Sequence, residues 1–376
     1  MSTPTRPRPQ HPQGPAEADG PPAPLLEITG LTVEFPRPDH PRSTPARPVR
    51  GVDLRVDEGR IVGIVGETGC GKTLTGLAVL GLLPPHARTG GSIRLDGREL
   101  TALAPAERAA LRGGRVSLVF QNPATAFNPV FSIGGQLRRV ARRHLDIGRR
   151  DADRLALEHL GRVGLPDPRR VAAAYPHELS GGMLQRAMIA MALIAGPRLL
   201  ILDEPTTALD VTVARRILRL LLDLQHESGF TVLLITHNLG VVADVCDSTA
   251  VMYAGRIVEH GPAADVLARP AHPYTRGLLG ALPGRGRPGE PLTAIPGTIP
   301  ADPASLTGCA FADRCPDVMD VCRTDDPRPT TLASAARADR QRPTAVTSVR
   351  TDEPRPAAPT PARTVACFKA VKEATS

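Results

Sequence analysis

Gly66-Glu67-Thr68-Gly69-Cys70-Gly71-Lys72-Thr73 matches the spacing G-x-x-x-x-G-K-[ST], the pattern of a loop that grips phosphate. Its glycines let successive backbone N–H groups turn towards one anion. Lys72 is placed to reach the β- and γ-phosphates of a nucleotide, Thr73 to hold Mg²⁺, and the following helix adds its positive end. Lys72 is the only lysine before Lys369, and every other permanently charged base up to there is an arginine. A compact ammonium kept at this one position suits a loop too tight for a planar guanidinium. Further along, Leu199-Leu200-Ile201-Leu202-Asp203-Glu204 is an apolar run ending in two carboxylates. Two acids at a strand end are ordinarily a solvated turn. Behind a phosphate loop they suit magnesium binding by Asp203, through the ion's water shell, and polarisation of an attacking water by Glu204.

Such residues need a scaffold that aims them at one point. Ile61 to Val65 precedes the loop as a short β-branched run, apolar on both faces, and reads as a buried central strand; Thr73 to Leu83 follows as a helix. Leu25 to Phe35 and Val49 to Val56 alternate as strands, Ser92 to Leu100 carries the hairpin signal Asp96-Gly97, and Val116 to Phe120 is a further strand. From about Ser132 to Ala195 the spacing turns helical, with Leu155, Leu160 and Val163 on one face of a segment opened by Asp151. Leu179-Ser180-Gly181-Gly182-Met183 opens the last helix of this stretch, Ser180 as its N-cap and two glycines baring its end. Leu199 to Leu202 and Thr231 to Ile235 regain buried-strand character around a helix from Thr212 to Glu227. Strands alternating with helices predict an α/β core with a mostly parallel sheet and an inserted helical part.

Composition narrows the setting. A chain of 376 residues exceeds one small core, and residues 1 to 24, mostly Pro, Gly, Ala and Gln, are expected to form a disordered tail. The net charge is +8, but the arginines are scattered and aromatic residues make up only 3 %, so no nucleic-acid partner is expected. The opening has no apolar core of a secretory signal. The longest apolar stretches, such as Ala187 to Pro197, fall short of the roughly 20 residues that span a bilayer, so any membrane association is expected to be peripheral.

Standing shortly before the Asp-Glu strand, Leu179 to Met183 resembles the LSGGQ signature of the ABC ATPase family, and Met183 is similar to the LSGGM form of its peptide-importer subunits. The resemblance implies a P-loop NTPase fold of α/β class with an antiparallel β subdomain. Residues 25–271 would be the nucleotide-binding domain, with a helical subdomain at about 132–195, and 272–376 a C-terminal extension. By the same resemblance Gln121 senses the γ-phosphate and shares the magnesium, Asp210 belongs to the D-loop, His237 is the switch histidine, and Phe35 looks like the aromatic that stacks on adenine. Ser180, Gly181 and Gly182 would complete the ATP site of a facing subunit. The likeness to oligopeptide and dipeptide importers continues through Phe120-Gln121-Asn122-Pro123, Asn128-Pro129, Thr236 to Val242, Met252 to Arg256 and His272-Pro273-Tyr274-Thr275. It implies ATP hydrolysis at the cytoplasmic face of the cell membrane, coupled to two transmembrane permease subunits fed by an extracytoplasmic solute-binding protein. One copy of each motif implies a homologous ATPase partner. Ile295-Pro296-Gly297 looks like the D-type member of a D and F pair, which favours a heterodimer. An importer of nickel or another small solute, or a soluble ABC ATPase with no transport role, are the alternatives.

Cys309, Cys315, Cys322 and Cys367 lie in the extension. Four thiols in a cytosolic chain point to a metal before disulfides, and spacing alone favours zinc, although the gaps are wider than C-x-x-C pairs. The Gly-Cys…Arg-Cys-Pro…Cys…Cys arrangement resembles the subfamily's [4Fe–4S] ligands. Cys70 stands near a helix N-terminus, a position that favours the thiolate, so alkylation is expected to inhibit turnover and bound ATP to protect. Cys246 reads as a small buried hydrophobe.

Overall fold

The computed structural model describes residues 23–36, 45–207, 209–282, 294–300, 305–332 and 361–374; the expected disordered tail lies outside them except for its last two residues. Five β-strands run parallel, side by side in the order Ser248–Tyr253, Ile61–Val65, Thr231–Thr236, Leu199–Asp203 and Val116–Val119, the last forming one edge of the sheet. Their sequences are apolar on both faces because both faces are covered. Ile61 and Val65, Leu200 and Leu202, Val232 and Leu234 point into one core shared with the helical insert. Val62 and Ile64, Leu199 and Ile201, Leu233 and Ile235 point into the other, against the antiparallel sheet built from Leu26–Phe35, Ala46–Val56, Arg88–Leu95 and Arg98–Glu99. The period of two along each strand thus divides a single sheet between two hydrophobic cores. The predicted hairpin closes through Asp96 and Gly97, both at positive φ (55° and 74°), the conformation its two-residue turn demands.

Two helix boundaries differ from the sequence expectation. The helix after the phosphate loop is Lys72–Leu80 and stops before Leu83, because Gly81 takes the left-handed conformation (φ 63°) and turns its N–H back onto the carbonyl of Ala78. In the insert, Gly148 stands at the N-cap position of Arg149–Arg162 with no side-chain cap, and Asp151 lies inside the first turn, where its carboxylate complements the helix dipole without capping. Leu160 and Val163 are buried as predicted, with Leu155 packed against the same core.

The C-terminal extension is built into this framework. Thr364–Val365 pairs with the edge strand Arg256–Pro262, Glu259 opposite Val365, and Thr330–Thr331 adds outside it. Buried Tyr253 of the central sheet meets Tyr274 and Phe311 of the extension, with ring centroids 4.6 and 5.2 Å away. Aromatic contacts of this geometry add to the burial of large apolar rings. Among the described residues no helix is long and apolar enough to cross a membrane.

Candidate functional site

The buried strand Ile61–Val65 delivers the phosphate loop to the C-terminal end of the parallel sheet. A side chain at Gly66 would run into the carbonyl oxygen of Met252, so the chain can pass there only as glycine. Gly71 is held at φ 108°, and a Cβ would stand 2.6 Å from the carbonyl oxygen of Pro48. Gly71→Ala is therefore expected to cost at least about 2 kcal/mol of stability, read as a lowered urea midpoint; an unchanged midpoint would show that the loop can relax. Lys72, 6 % exposed, folds back so that Nζ donates to the carbonyl oxygens of Gly66 (2.8 Å) and Glu67 (3.0 Å). The ammonium is thereby preset inside the cradle.

Neighbouring strand ends supply the remaining groups. Thr73 Oγ1 donates to Asp203 Oδ1 at 3.1 Å, which puts two hard oxygen donors together where the helix begins. Burial pushes the Asp203 carboxyl above the usual carboxylate range, with the Thr73 hydrogen bond opposing the shift. A desolvated acid beside a hydroxyl fits the chemistry of a magnesium site. Glu204 comes next, at a positive φ of 51°, which is uncommon for a residue with a side chain and turns its carboxylate out of the strand. That carboxylate accepts from Thr207 Oγ1 at 2.5 Å and meets His237 Nδ1 at 2.9 Å through Oε1. Sequence reasoning placed Glu204 and His237 but missed Thr207; a hydroxyl three residues beyond the acid was the available clue.

The other anticipated residues stand apart from this group. Ser180 caps the helix Gly181–Leu193, accepting from the Met183 N–H, and Asp210 caps Val211–Ser228 from the Val213 N–H. Val213 also packs against Gly182: a Cβ there would lie 3.1 Å from Val213 Cγ1. Gln121 is exposed beyond the end of its strand. Among the described residues none of Ser180, Asp210 and Gln121 makes a hydrogen bond to the phosphate loop. Phe35 is half-buried and lies against His86, with ring centroids 5.5 Å apart.

Residues 49–207 match a family profile described as ABC transporter, and residues 258–322 match one described as oligopeptide/dipeptide transporter, C-terminal region. The "Probable peptide ABC transporter ATP-binding protein y4tR" of Sinorhizobium fredii is 46 % identical over 306 residues, covering 81 % of this chain and 90 % of the relative. The chain belongs to the ABC transporter ATP-binding proteins. "Oligopeptide transport ATP-binding protein OppD" of Salmonella typhimurium is 43 % identical, covering 81 % of this chain and 89 % of that protein. "Dipeptide transport ATP-binding protein DppD" of Bacillus subtilis is 46 % identical, covering 73 % and 82 %. The fold is also that of CbiO1 from Clostridium perfringens, described as part of the ABC transporter complex CbiONQ, with a TM-score of 0.56 and 27 % identity over 66 % of this chain and 92 % of that one.

Within this ABC ATP-binding protein the extension's four cysteines all line one pocket, together with His272, Phe311 and Phe368. None of the four is joined in a disulfide. Burial pushes the Cys309 thiol up to about 11 and raises Cys315 and Cys367 as well. Among the described residues no three His, Cys, Asp or Glu side chains are arranged to hold a metal ion. The donor set is all sulfur, but the side chains as they stand do not form a closed ligand array.

Cys70 departs from expectation. It is fully buried, 3.9 Å from Lys72 Nζ, and burial outweighs that ammonium in pushing the thiol up rather than down. Burial thus works against the thiolate that its place before a helix favours. Iodoacetamide at pH 8 is expected to label Cys70 in the native full chain at least about tenfold more slowly than in urea, read by peptide mass spectrometry. Equal rates would restore the reactive thiolate. Cys246 is buried against the central sheet, as predicted.

Proposed function

We propose that this protein hydrolyses ATP to drive import of oligopeptides or dipeptides, working at the cytoplasmic face of the cell membrane with a homologous ATPase subunit, two permeases and an extracytoplasmic solute-binding protein. The observation that carries the reading is the convergence of Lys72, Thr73, Asp203, Glu204 and His237 at one end of the parallel sheet, in a chain that also bears a peptide-transporter C-terminal region. The names of its relatives, oligopeptide and dipeptide transport ATP-binding proteins, support the cargo class.

In this reading the phosphate loop and Lys72 hold the triphosphate, and Thr73, Asp203 and Gln121 hold magnesium. The bound ion would neutralise charge on the β- and γ-phosphates. Glu204, fixed by Thr207 and His237, orients water for in-line attack, and His237 contacts the γ-phosphate. Ser180 and the bared N–H groups of Gly181 and Gly182 would close the corresponding site of a facing subunit. The surface position of Asp210, beside the helix that Gly182 touches, suits that same interface. Phe35 would lie against the adenine.

The four cysteines that line one pocket would supply thiolates for a [4Fe–4S] group, the reading the family resemblance favours, or for zinc; the side chains as they stand form no ligand array, and no step of hydrolysis is routed through such a group. Anaerobic purification followed by iron and sulfide analysis tests this: iron-free protein carrying zinc would exclude the cluster. For the transport reading, proteoliposomes containing the permeases, the homologous subunit, the binding protein and this chain should accumulate a labelled dipeptide only when MgATP is supplied on the side of the ATPase subunits. Accumulation that persists when this chain is left out would overturn it.

A further inference from the structure

Glu67 is the one acidic residue in a loop whose purpose is to hold an anion, and three groups restrain it. Its carbonyl oxygen accepts from Lys72 Nζ at 3.0 Å. Its N–H donates to the hydroxyl oxygen of Tyr274 at 2.9 Å. Its carboxylate Oε2 pairs with Arg314 Nη1 at 3.1 Å. Tyr274 and Arg314 both belong to the C-terminal extension, and both are buried. Arg314 is fixed in turn: Nε donates to the carbonyl oxygen of Pro296 at 2.7 Å, and its guanidinium lies near the rings of Tyr253 and Phe311, 5.7 and 6.0 Å from their centroids. The Ile295-Pro296-Gly297 element, noted in the sequence only as a subfamily marker, thus has a mechanical task in aiming this arginine.

We infer that Arg314 and Tyr274 are positioning residues for nucleotide binding, through which the C-terminal extension sets the affinity of the phosphate loop for ATP. This rests on the nucleotide site of the proposed function. An unpaired carboxylate within the loop repels a triphosphate; Arg314 cancels its charge and draws it to the extension's side of the loop. The Tyr274 hydroxyl holds the backbone of the same residue. Because the Glu67 carbonyl helps to hold the ammonium, a shift of Glu67 also shifts Lys72. An ion pair whose arginine side chain is only 8 % exposed is screened far less than a surface pair.

The test is equilibrium binding of a fluorescent MgATP analogue to the full chain. Arg314→Gln is expected to raise Kd about tenfold by leaving Glu67 unpaired. Arg314→Lys should recover part of the loss. Adding Glu67→Gln to Arg314→Gln should return Kd to within about threefold of the starting protein, because the offending charge is gone although the ion pair is not restored. A purely structural arginine would not be rescued in this way. An unchanged Kd in Arg314→Gln, or losses that simply add in the double variant, would overturn the inference. If Arg314→Gln does not fold, Tyr274→Phe decides: a Kd raised about threefold supports the inference, and an unchanged Kd overturns it. Failure of the unsubstituted protein to bind MgATP would instead remove the proposed function, so the two failures are distinguishable.

Discussion

Glu204→Gln is expected to lower steady-state ATP hydrolysis at least about a hundredfold while MgATP still binds. Glutamine keeps the shape, and its amide can still meet Thr207 and His237, so the turn at positive φ should survive. What it loses is the negative charge. A neutral amide is a far weaker acceptor for the proton of an attacking water, and removing a positioned general base typically costs about two to four orders of magnitude. In the proposed function binding is assigned to other residues: the loop N–H groups, Lys72 and the Thr73–Asp203 pair. Phosphate release over many turnovers, measured beside equilibrium ATP binding, separates the two effects. Turnover within about threefold of the starting protein would remove Glu204 from the chemistry, and lost binding would give it a structural role instead.

The parts of this site that were legible in the sequence are those written in contiguous residues. The phosphate loop could be read because its backbone geometry demands glycine at fixed positions, and Ile61–Val65 because a strand covered on both faces must be apolar throughout. Glu204 was legible as an acid ending such a strand. Where two local effects compete, sequence alone misjudged the winner. At Cys70 the nearby helix N-terminus and Lys72 favour the thiolate, but a helix terminus is worth only about 1 kcal/mol, whereas full burial can shift a group by several pKa units in the other direction. Asp151 reads as opening its helix, and lies inside the first turn instead, because an acid in the first turn and an acid at the helix start have similar local sequence. Pairing across long separations was beyond reach altogether. Glu67 and Arg314 are 247 positions apart, and Thr364–Val365 joins a sheet edge that no local pattern advertises. Tyr274 was singled out as a family marker, yet nothing near it in sequence says that its hydroxyl meets the phosphate loop.

Lys72→Ala should abolish measurable nucleotide binding, with Kd for MgATP raised at least about a hundredfold. Two losses combine here. The triphosphate loses its only buried cation in the loop, in a place where the attraction is screened by protein rather than by bulk water. The carbonyl oxygens of Gly66 and Glu67 lose the ammonium that they share, so two acceptors in the loop are left without their donor. Lys72→Arg should fail almost as badly. At 6 % exposure, with the Cys70 sulfur 3.9 Å from Nζ, there is no room for the planar fork of a guanidinium, and its fixed geometry cannot serve both carbonyls and a phosphate. Equilibrium binding of MgATP and MgADP to all three proteins provides the measurement, with thermal denaturation to confirm that each is folded. The Lys72→Arg variant is the sharper of the two, because it keeps the charge and changes only the shape. Near-normal affinity in a well-folded Lys72→Arg protein is therefore the outcome that would sink the preset-ammonium account, since it would mean that positive charge alone suffices and that the tight fit around Lys72 has no bearing on nucleotide binding.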